Sequence, residues 1–578
     1  MASLDTKSSY HVKLSSQAAK LQVMLRKALY SAYSFLARPS IEALERASRD
    51  PDAAQAARLA AILEAARGTR FAAEHNLSSV ASPADFRKAV PIRDYEGFRP
   101  YIEPMLAGQG DILTRERPFM FATTSGTTGK PKFVPLTDSF MSEYRQASIV
   151  SGFNLYRSYP EIARGRALSI VSPAVEGTLP SGIPYGAMTG AIYQKEPAVV
   201  KKWITAIPYE AALIEDYESR YYTILRIALA HRISLFYTPN PSTVSLLCRR
   251  LSRFAPQLIE DVGRGILTPP GPLDPALRAA IEPGLGASPE RARELASLLE
   301  QERFTPENIW PELAVISCWT KAAASFYLQD FPEYFGSTPV SDITYGASEG
   351  RGTVFLSPDR QMLAINSHYY EFVPEDEIDS PSPTVLGAGA LEEGKNYFIL
   401  FTTSGGLYRY NINDVVKVTG FHNRAPLIEF LHKGGNIFSF TGEKITESQV
   451  TSAMKRAVAA TGSRVRFFTV VPCFRPEAHY QLWVEPERES TDTGMKALGE
   501  RFDFELKADN IEYKTKRDSA RLAPVDCLSI EPGTYEQVRK ELTASGTPDA
   551  QIKLSHLNPR DDIRNSLSVG LQSAAITG

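Results

Sequence analysis

Cysteine is scarce in this chain. Cys248, Cys318, Cys473 and Cys527 are the only four in 578 residues, and no two form a CxxC pair. That spacing argues against a disulfide framework or a structural zinc site and fits a reducing cytoplasm. Long apolar runs are also missing. Stretches such as NYFILF and VRFFTVV fall far short of the ~20 residues that span a bilayer, and their β-rich composition suits buried strands. The opening MASLDTKSSYHVKLSS lacks the apolar centre of a secretory signal. Charge of one sign is lacking too: 64 Lys and Arg against 66 Asp and Glu leave a formal net charge of -2. No global field exists to attract nucleic acid. The eight histidines show no HExxH or similar grouping. A cytoplasmic monomer with neither a membrane nor a nucleic-acid partner is expected.

What is present reads as a globular protein. Hydrophobic residues make up 43% and charged residues 22%, and the length exceeds the roughly 250–300 residues at which one core stops growing, so two or more domains are expected. Residues 15–67 read as helices, with Asp50 as a cap, Pro51 in the first turn and Gly68 past the end. From FMFATT onward short strands (RALSIVS, ISLFYT, LAVISCW, SDITYG) interleave with helical stretches, which predicts an α/β fold with partly parallel sheets. Segments 268–286 and 374–394, rich in Pro and Gly, read as surface connections. After FSFTGEKITESQV a βα pattern begins anew. The boundary is placed at Lys444, giving a large domain over 1–443 and a small α+β domain over 444–578 with a loose tail after about 563.

The stretch FATTSGTTGKPKFVP, Phe121 to Pro135, concentrates small hydroxyl residues and glycines around a lysine. A Walker loop would need glycine at 124 and Ser or Thr at 131, where Thr124 and Pro131 stand. A GxGxxG dinucleotide loop is absent as well. A strand running into a Ser/Thr/Gly loop remains, followed by an extended KPKFVPL and a helix capped by Thr137 or Asp138. Backbone N–H groups freed by glycine, with the hydroxyls of Thr124, Ser125, Thr127 and Thr128, Gly126 at the bend and Lys130 as countercharge, suit anionic oxygens.

The string resembles the phosphate-binding signature of adenylate-forming enzymes, the superfamily of acyl-CoA synthetases, adenylation domains and luciferases. Three later segments follow in matching order: ITYGASEG (343–350), LYRYNINDVVKVTGF (407–421) and TGEKITE (441–447). Their wording, with EYKTKRDSARLAP and Gln551 to Lys553, is similar to the Gretchen Hagen auxin-responsive (GH3) family of acyl acid amido synthetases. SPAVEGTLPSGIPYGAMTG resembles that family's bacterial-type members. The resemblance runs from about residue 20 to 560. It implies a large adenylate-forming domain, in which β-sheets are flanked by helices beside a small β-barrel-like part, and a small mobile C-terminal domain.

The resemblance implies an ATP- and Mg²⁺-dependent ligase that adenylates a small carboxylic acid, releases pyrophosphate and passes the acyl group to an amine, in this family an amino acid. Tyr345, Gly346, Ala347 and Ser348 would enclose adenine, with Glu349 beside the metal, Asp414 on the ribose hydroxyls and Phe421 and Lys444 as further nucleotide contacts. Lys553 would be the catalytic lysine swung in for adenylation, with Lys514 and Lys516 as rivals. Ser181, Gly182 and Tyr185 would line the acyl pocket. His368 reads either as a pocket residue or as a core histidine, and Cys318 and Trp319 as packing residues. The chain departs from the family's Arg-x-Gly-Asp, since Asn413 stands for the glycine; asparagine tolerates left-handed backbone, so the turn is expected to survive. The arginine's contact is lost, and Arg409 is a candidate to approach phosphate. The proline expected after Lys553 is also absent. Transfer to CoA, another thiol or an alcohol is the competing enzyme reading, and a decayed nucleotide- or acid-binding protein the non-enzymatic one. Product analysis with amines against CoA separates the first two, and ATP–pyrophosphate exchange tests the third.

Overall fold

A computed structural model describes residues 5–124, 132–378, 380–434, 437–438, 443, 445–473, 478–488, 491–518, 522–545, 552, 554–557 and 561–571. Two helices, Asp5–Arg49 and Pro51–Ala65, open the chain. Asp50 caps the second by accepting from the Ala53 N–H at 3.3 Å, and Gly68 takes φ +84° in the turn beyond it. The strand Met120–Thr124 pairs antiparallel with Lys132–Leu136, and residues 125–131, outside the described set, join the two. Thr137 accepts from the Phe140 N–H and starts the helix Asp138–Ser158.

Four strands, Arg166–Ser169, Ile233–Tyr237, Val315–Cys318 and Val340–Asp342, form a parallel sheet in sequence order. Ile233, Val315, Ile316 and Cys318 are fully buried on it. Such continuous apolar runs are what a sheet covered on both faces demands. Segment 268–286 is not all connection: Pro275–Ile281 is helical, and Ile281 enters the core that surrounds this sheet.

The stretch rich in strands and turns builds one antiparallel sheet of six strands, in the order Thr353–Ser357, Arg360–Leu363, Ala425–Lys433, Tyr410–His422, Asn396–Thr402, Tyr369–Pro374. Beyond it, Thr446 and Gln449 close a reciprocal capping box on the helix Glu447–Thr461. Strands Val465–Cys473, His479–Pro486 and Asp526–Ser529 make a smaller sheet, and the cores after residue 445 are built almost wholly from that part of the chain.

The expectation of a loose tail from about 563 fails as far as residue 571. Asp561–Ser568 is helical and buries Ile563 and Leu567 against the smaller domain. Gly570 then accepts from the Glu531 N–H. Apolar residues four apart on one helix face supply the reason.

Candidate functional site

The parallel strands all deliver their carboxyl ends to one edge, where open α/β sheets bind ligands. The chain leaving Ile233–Tyr237 is tied to the next strand by Thr238 N–H to Ser317 O, and Trp319 N–H bonds Pro239 O. After Val340–Asp342 the chain runs directly into Tyr345. Two short strands, Gly346–Ala347 and Gly350–Arg351, pair antiparallel, leaving Ser348 and Glu349 as the turn between them. Glu349 is buried, and the Tyr410 hydroxyl donates to its Oε1 at 3.3 Å.

Asp414 comes from the six-stranded sheet, where it stands opposite Lys433. The Tyr345 hydroxyl donates to Asp414 Oδ2 at 2.6 Å, and Lys433 Nζ donates to Oδ1 at 2.6 Å and to the Ile412 carbonyl at 3.2 Å. Desolvation of the ammonium works against its charge, but Asp414 and Glu349 outweigh it and raise the Lys433 pKa. Burial, and next the Asp414 carboxylate, push the Tyr345 phenol well up, so it stays a donor. Tyr410 is raised in the same way by burial and then by Glu349. Each oxygen of an ionised carboxylate has two lone pairs, so Asp414 retains acceptor capacity for a diol.

Asn413 adopts φ +65°, the left-handed geometry that glycine would supply, and its N–H bonds Asn411 Oδ1 at 2.8 Å. The turn thus forms without glycine. Arg409 does not approach this site: its Nε donates to Glu371 at 2.8 Å, and Nη1 bonds the carbonyls of Arg87 and Val90. It is a buried structural ion pair. The Tyr345 ring stacks on Phe430 with 5.7 Å between centroids and tilts against Phe401, so the aromatic packing holds its hydroxyl on Asp414.

Tyr95 packs on the strand that follows the loop segment. The Phe133 N–H donates to its hydroxyl at 2.6 Å, Lys132 Nζ lies over its ring, and burial, with a smaller contribution from Glu349, pushes its phenol up to about 12. Thr124 ends the strand that enters the loop. Ser125, Gly126, Thr127, Thr128, Lys130, Lys444 and Lys553 lie outside the described residues. Ile552 and Leu554, which flank the last, are buried, and the Ile552 carbonyl accepts from Asn240 Nδ2 at 3.3 Å, at the carboxyl edge of the parallel sheet.

Not every expected residue joins the cluster. Phe421 lies on the same strand as Asp414 but seven positions on, paired with Pro426 beside the hairpin turn. At about 3.3 Å per residue that is roughly 20 Å away. Ser181 and Gly182 occupy the turn that precedes Pro184–Gly186, at the end of the strand away from the loop, with Gly182 at φ +79°. Tyr185 is nearer: its strand runs parallel to Met120–Thr124, with Tyr185 opposite Phe121. Gly186 and Gly190 follow toward the loop end, where a Cβ on either would lie 2.3–2.4 Å from the backbone of Ser172 and Ala174. His368 is a core residue, fully buried and stacked on Phe140, with Nδ1 on Glu143 at 3.2 Å. Cys318 is buried in the core around the parallel sheet. Lys514 is paired with Asp518 on an exposed helix face.

Lys433, Tyr410 and Tyr95 were missed in the sequence. The first was reachable, because Asp414 and Lys433 are equidistant from the turn between Asn423 and Arg424, and the two register shifts in the hairpin cancel. Tyr410 and Tyr95 carry no such signal, because only the packing of separate elements brings Tyr410 to Glu349 and Tyr95 to the Phe133 backbone.

Comparison with known proteins identifies the family. Family models for the GH3 family N-terminal, central and C-terminal domains match residues 40–340, 361–433 and 448–561. The jasmonoyl–L-amino acid synthetase JAR4 of Nicotiana attenuata is 25% identical over 538 residues, covering 89% of this chain and 92% of its own. A probable indole-3-acetic acid-amido synthetase, GH3.2 of Oryza sativa subsp. japonica, is 25% identical over 556 residues, 89% of each chain. The solved GH3.15 acyl acid amido synthetase superposes with a TM-score of 0.81 at 22% identity, over 92% of this chain and 96% of that one, and so shares the fold. With one family model alone spanning residues 40–340, the chain belongs to the GH3 family.

Proposed function

We propose that this protein is an ATP-dependent acyl acid amido synthetase that activates a small carboxylic acid as its adenylate and then joins it to an amino acid. The acid's carboxylate attacks the α-phosphorus of ATP, and the bond to pyrophosphate breaks. The amine then attacks the acyl carbon, and AMP leaves with the electron pair of the C–O bond. Positioning and stabilisation of charge on phosphate carry such a reaction. The observation that bears the reading is Asp414 held between Tyr345 and Lys433 beside the buried Glu349. The relatives named as jasmonoyl– and indole-3-acetic acid–amino acid synthetases support the acid and amine halves.

In this reading Asp414 holds the ribose, and Lys433 both orients that carboxylate and adds positive charge toward the phosphates. Tyr345, with Gly346 to Ser348, borders the base. The phosphates are assigned to Ser125 through Lys130 and to Lys553 as catalytic lysine, and the hinge to Lys444, all outside the described residues. Phe421 is not part of the set. The acid site is assigned to Tyr185 and the start of the helix Met188–Gln194 as far as Gly190, and the bacterial-type affinity rests on this segment. Magnesium fits the donors present: Glu349 offers one hard oxygen, and no group of three or more Asp, Glu, His or Cys among the described residues forms a cage, which suits an ion that brings phosphate and water ligands. When bound it would screen the phosphate charge.

The test is ATP–pyrophosphate exchange across a panel of carboxylic acids, followed by mass spectrometry of products with amino acids and with CoA. Exchange with amide product is expected. Acyl-CoA without amide, or no exchange with any acid, would refute the assignment. Asp414→Ala should weaken ATP binding about 10–100-fold, the loss of charged hydrogen bonds worth ~1.5–3 kcal/mol, measurable by calorimetry.

A further inference from the structure

The first helix has one face that the fold does not use. Its inner side is fastened to the body: Arg26 donates to the carbonyls of Ala163 and Arg164, the Tyr33 hydroxyl donates to Ile149 O at 2.7 Å, and Tyr30 stacks on Tyr156. The opposite side is apolar and open. Leu21, Met24, Phe35 and Leu36 are 68, 66, 67 and 72% exposed, far beyond what single surface hydrophobics on a rigid helix require. With about 100° per residue, Leu21, Met24 and Phe35 fall within about 60° of one another, and Leu36 extends the stripe.

The exposed basic residues lie along one margin of that stripe. Lys20, Lys27 and Arg38 fall within about 20° of each other, about 40–60° to one side of Met24. Arg38 folds over the Phe35 ring at 5.4 Å. From Thr6 to Ile41 the sequence contains Lys7, Lys13, Lys20, Arg26, Lys27 and Arg38 and not one Asp or Glu, although the whole chain is slightly acidic. Acidic residues return at Glu42 and Glu45, where the helix packs near His422 and Asn423. Lys20, Lys27 and Arg38 thus lie in the same stretch of the helix as the open apolar face, which carries no carboxylate.

We propose that this face docks on an anionic lipid surface, with the helix lying in the interface plane, the apolar side chains entering the acyl boundary and the lysines among the headgroups. A pattern of apolar stripe and basic margin is what interfacial helices present. No helix of the described residues is long and apolar enough to cross a membrane, and lying on one is a separate mode. A second copy of the chain fits less well, because two such faces would bring lysine and arginine together without carboxylates to meet them.

The test uses the full-length protein with vesicles of equimolar phosphatidylcholine and phosphatidylserine, and with phosphatidylcholine alone, in a sedimentation assay. Binding to the mixed vesicles only, weakened by salt, is expected. Lys20→Glu with Lys27→Glu should weaken it about tenfold or more, and Leu21→Ser with Phe35→Ser should weaken it in low salt as well. All variants should keep the soluble pyrophosphate exchange of the parent, which reports an intact fold. Equal binding to both vesicle types, no binding, or variants that bind like the parent would overturn the proposal. So would a dimer in solution that Phe35→Ser dissolves, or capture by nucleic acid in preference to the vesicles.

Discussion

At the residue scale the site depends on pairs of groups that set each other's charge. His432, next to Lys433, contacts Glu375 at 3.0 Å. Burial opposes the charged ring, but the bond to Glu375 prevails and raises its pKa above 6.5, while that same bond lowers Glu375. A raised folded pKa means stability that is complete below pH 6.5 and is lost as pH climbs through the higher folded value. The Glu375 contribution has the opposite sense, present above pH 4.5 and lost as pH falls through its lowered value. Glu375→Gln should therefore flatten the decline in thermal stability above pH 6.5, followed by calorimetry across pH. His368 acts in reverse: burial, and next Arg58, push it down to about 3. The unfolded chain takes up that proton first, so stability falls as pH drops below 6.5. His368→Phe should reduce that acid sensitivity.

At the scale of elements, close approaches around the Asp414 hairpin leave no room for side chains. A Cβ on Gly434 would lie 2.0 Å from the Phe398 ring and 2.6 Å from Asn413 Oδ1, and one on Gly352 would lie 2.1 Å from the Tyr345 ring. Gly352→Ala should displace Tyr345 and weaken ATP binding about tenfold, one charged hydrogen bond of ~1.5 kcal/mol, with a smaller effect on melting. If ATP binding is unchanged, Tyr345 does not position Asp414. Much at this scale was legible beforehand. The cap at Asp50, a cap at Thr137 or Asp138, the strands of the parallel sheet and the helix after Thr446 follow from local patterns. Arg409 was not legible: an arginine beside a nucleotide motif invites a phosphate role, and only the fold reveals the buried Glu371 that claims it.

At the scale of the molecule, the smaller domain rests on the larger through charged side chains. Arg250 stands between Glu218 of its own domain and Glu536 of the other, 2.6 Å from each, and Arg539 donates to Ser242. The Tyr327 and Tyr535 hydroxyls meet at 2.9 Å. Such contacts break at less cost than an apolar interface when domains move. Glu536→Gln should cost about 1–2 kcal/mol of stability, the worth of a part-exposed charged bond, and should shift the balance between pyrophosphate exchange and amide formation. A uniform loss of both activities would argue against a role in domain rearrangement.

The sequence by itself carried a loop suited to anionic oxygens and the ordered motifs whose resemblance implies adenylation. Glycine and hydroxyl spacing, strand-to-loop order and an aspartate after a tight turn are local properties, written where they act. Tertiary structure decided which side chains meet. Lys433 faces Asp414 because two strands pair, Tyr95 reaches the Phe133 backbone across separate elements, and Phe421 is carried away because an extended strand separates it from Asp414. Electrostatic and hydrogen-bonding partners act over a few ångströms, and sequence distance says little about which residues come that close.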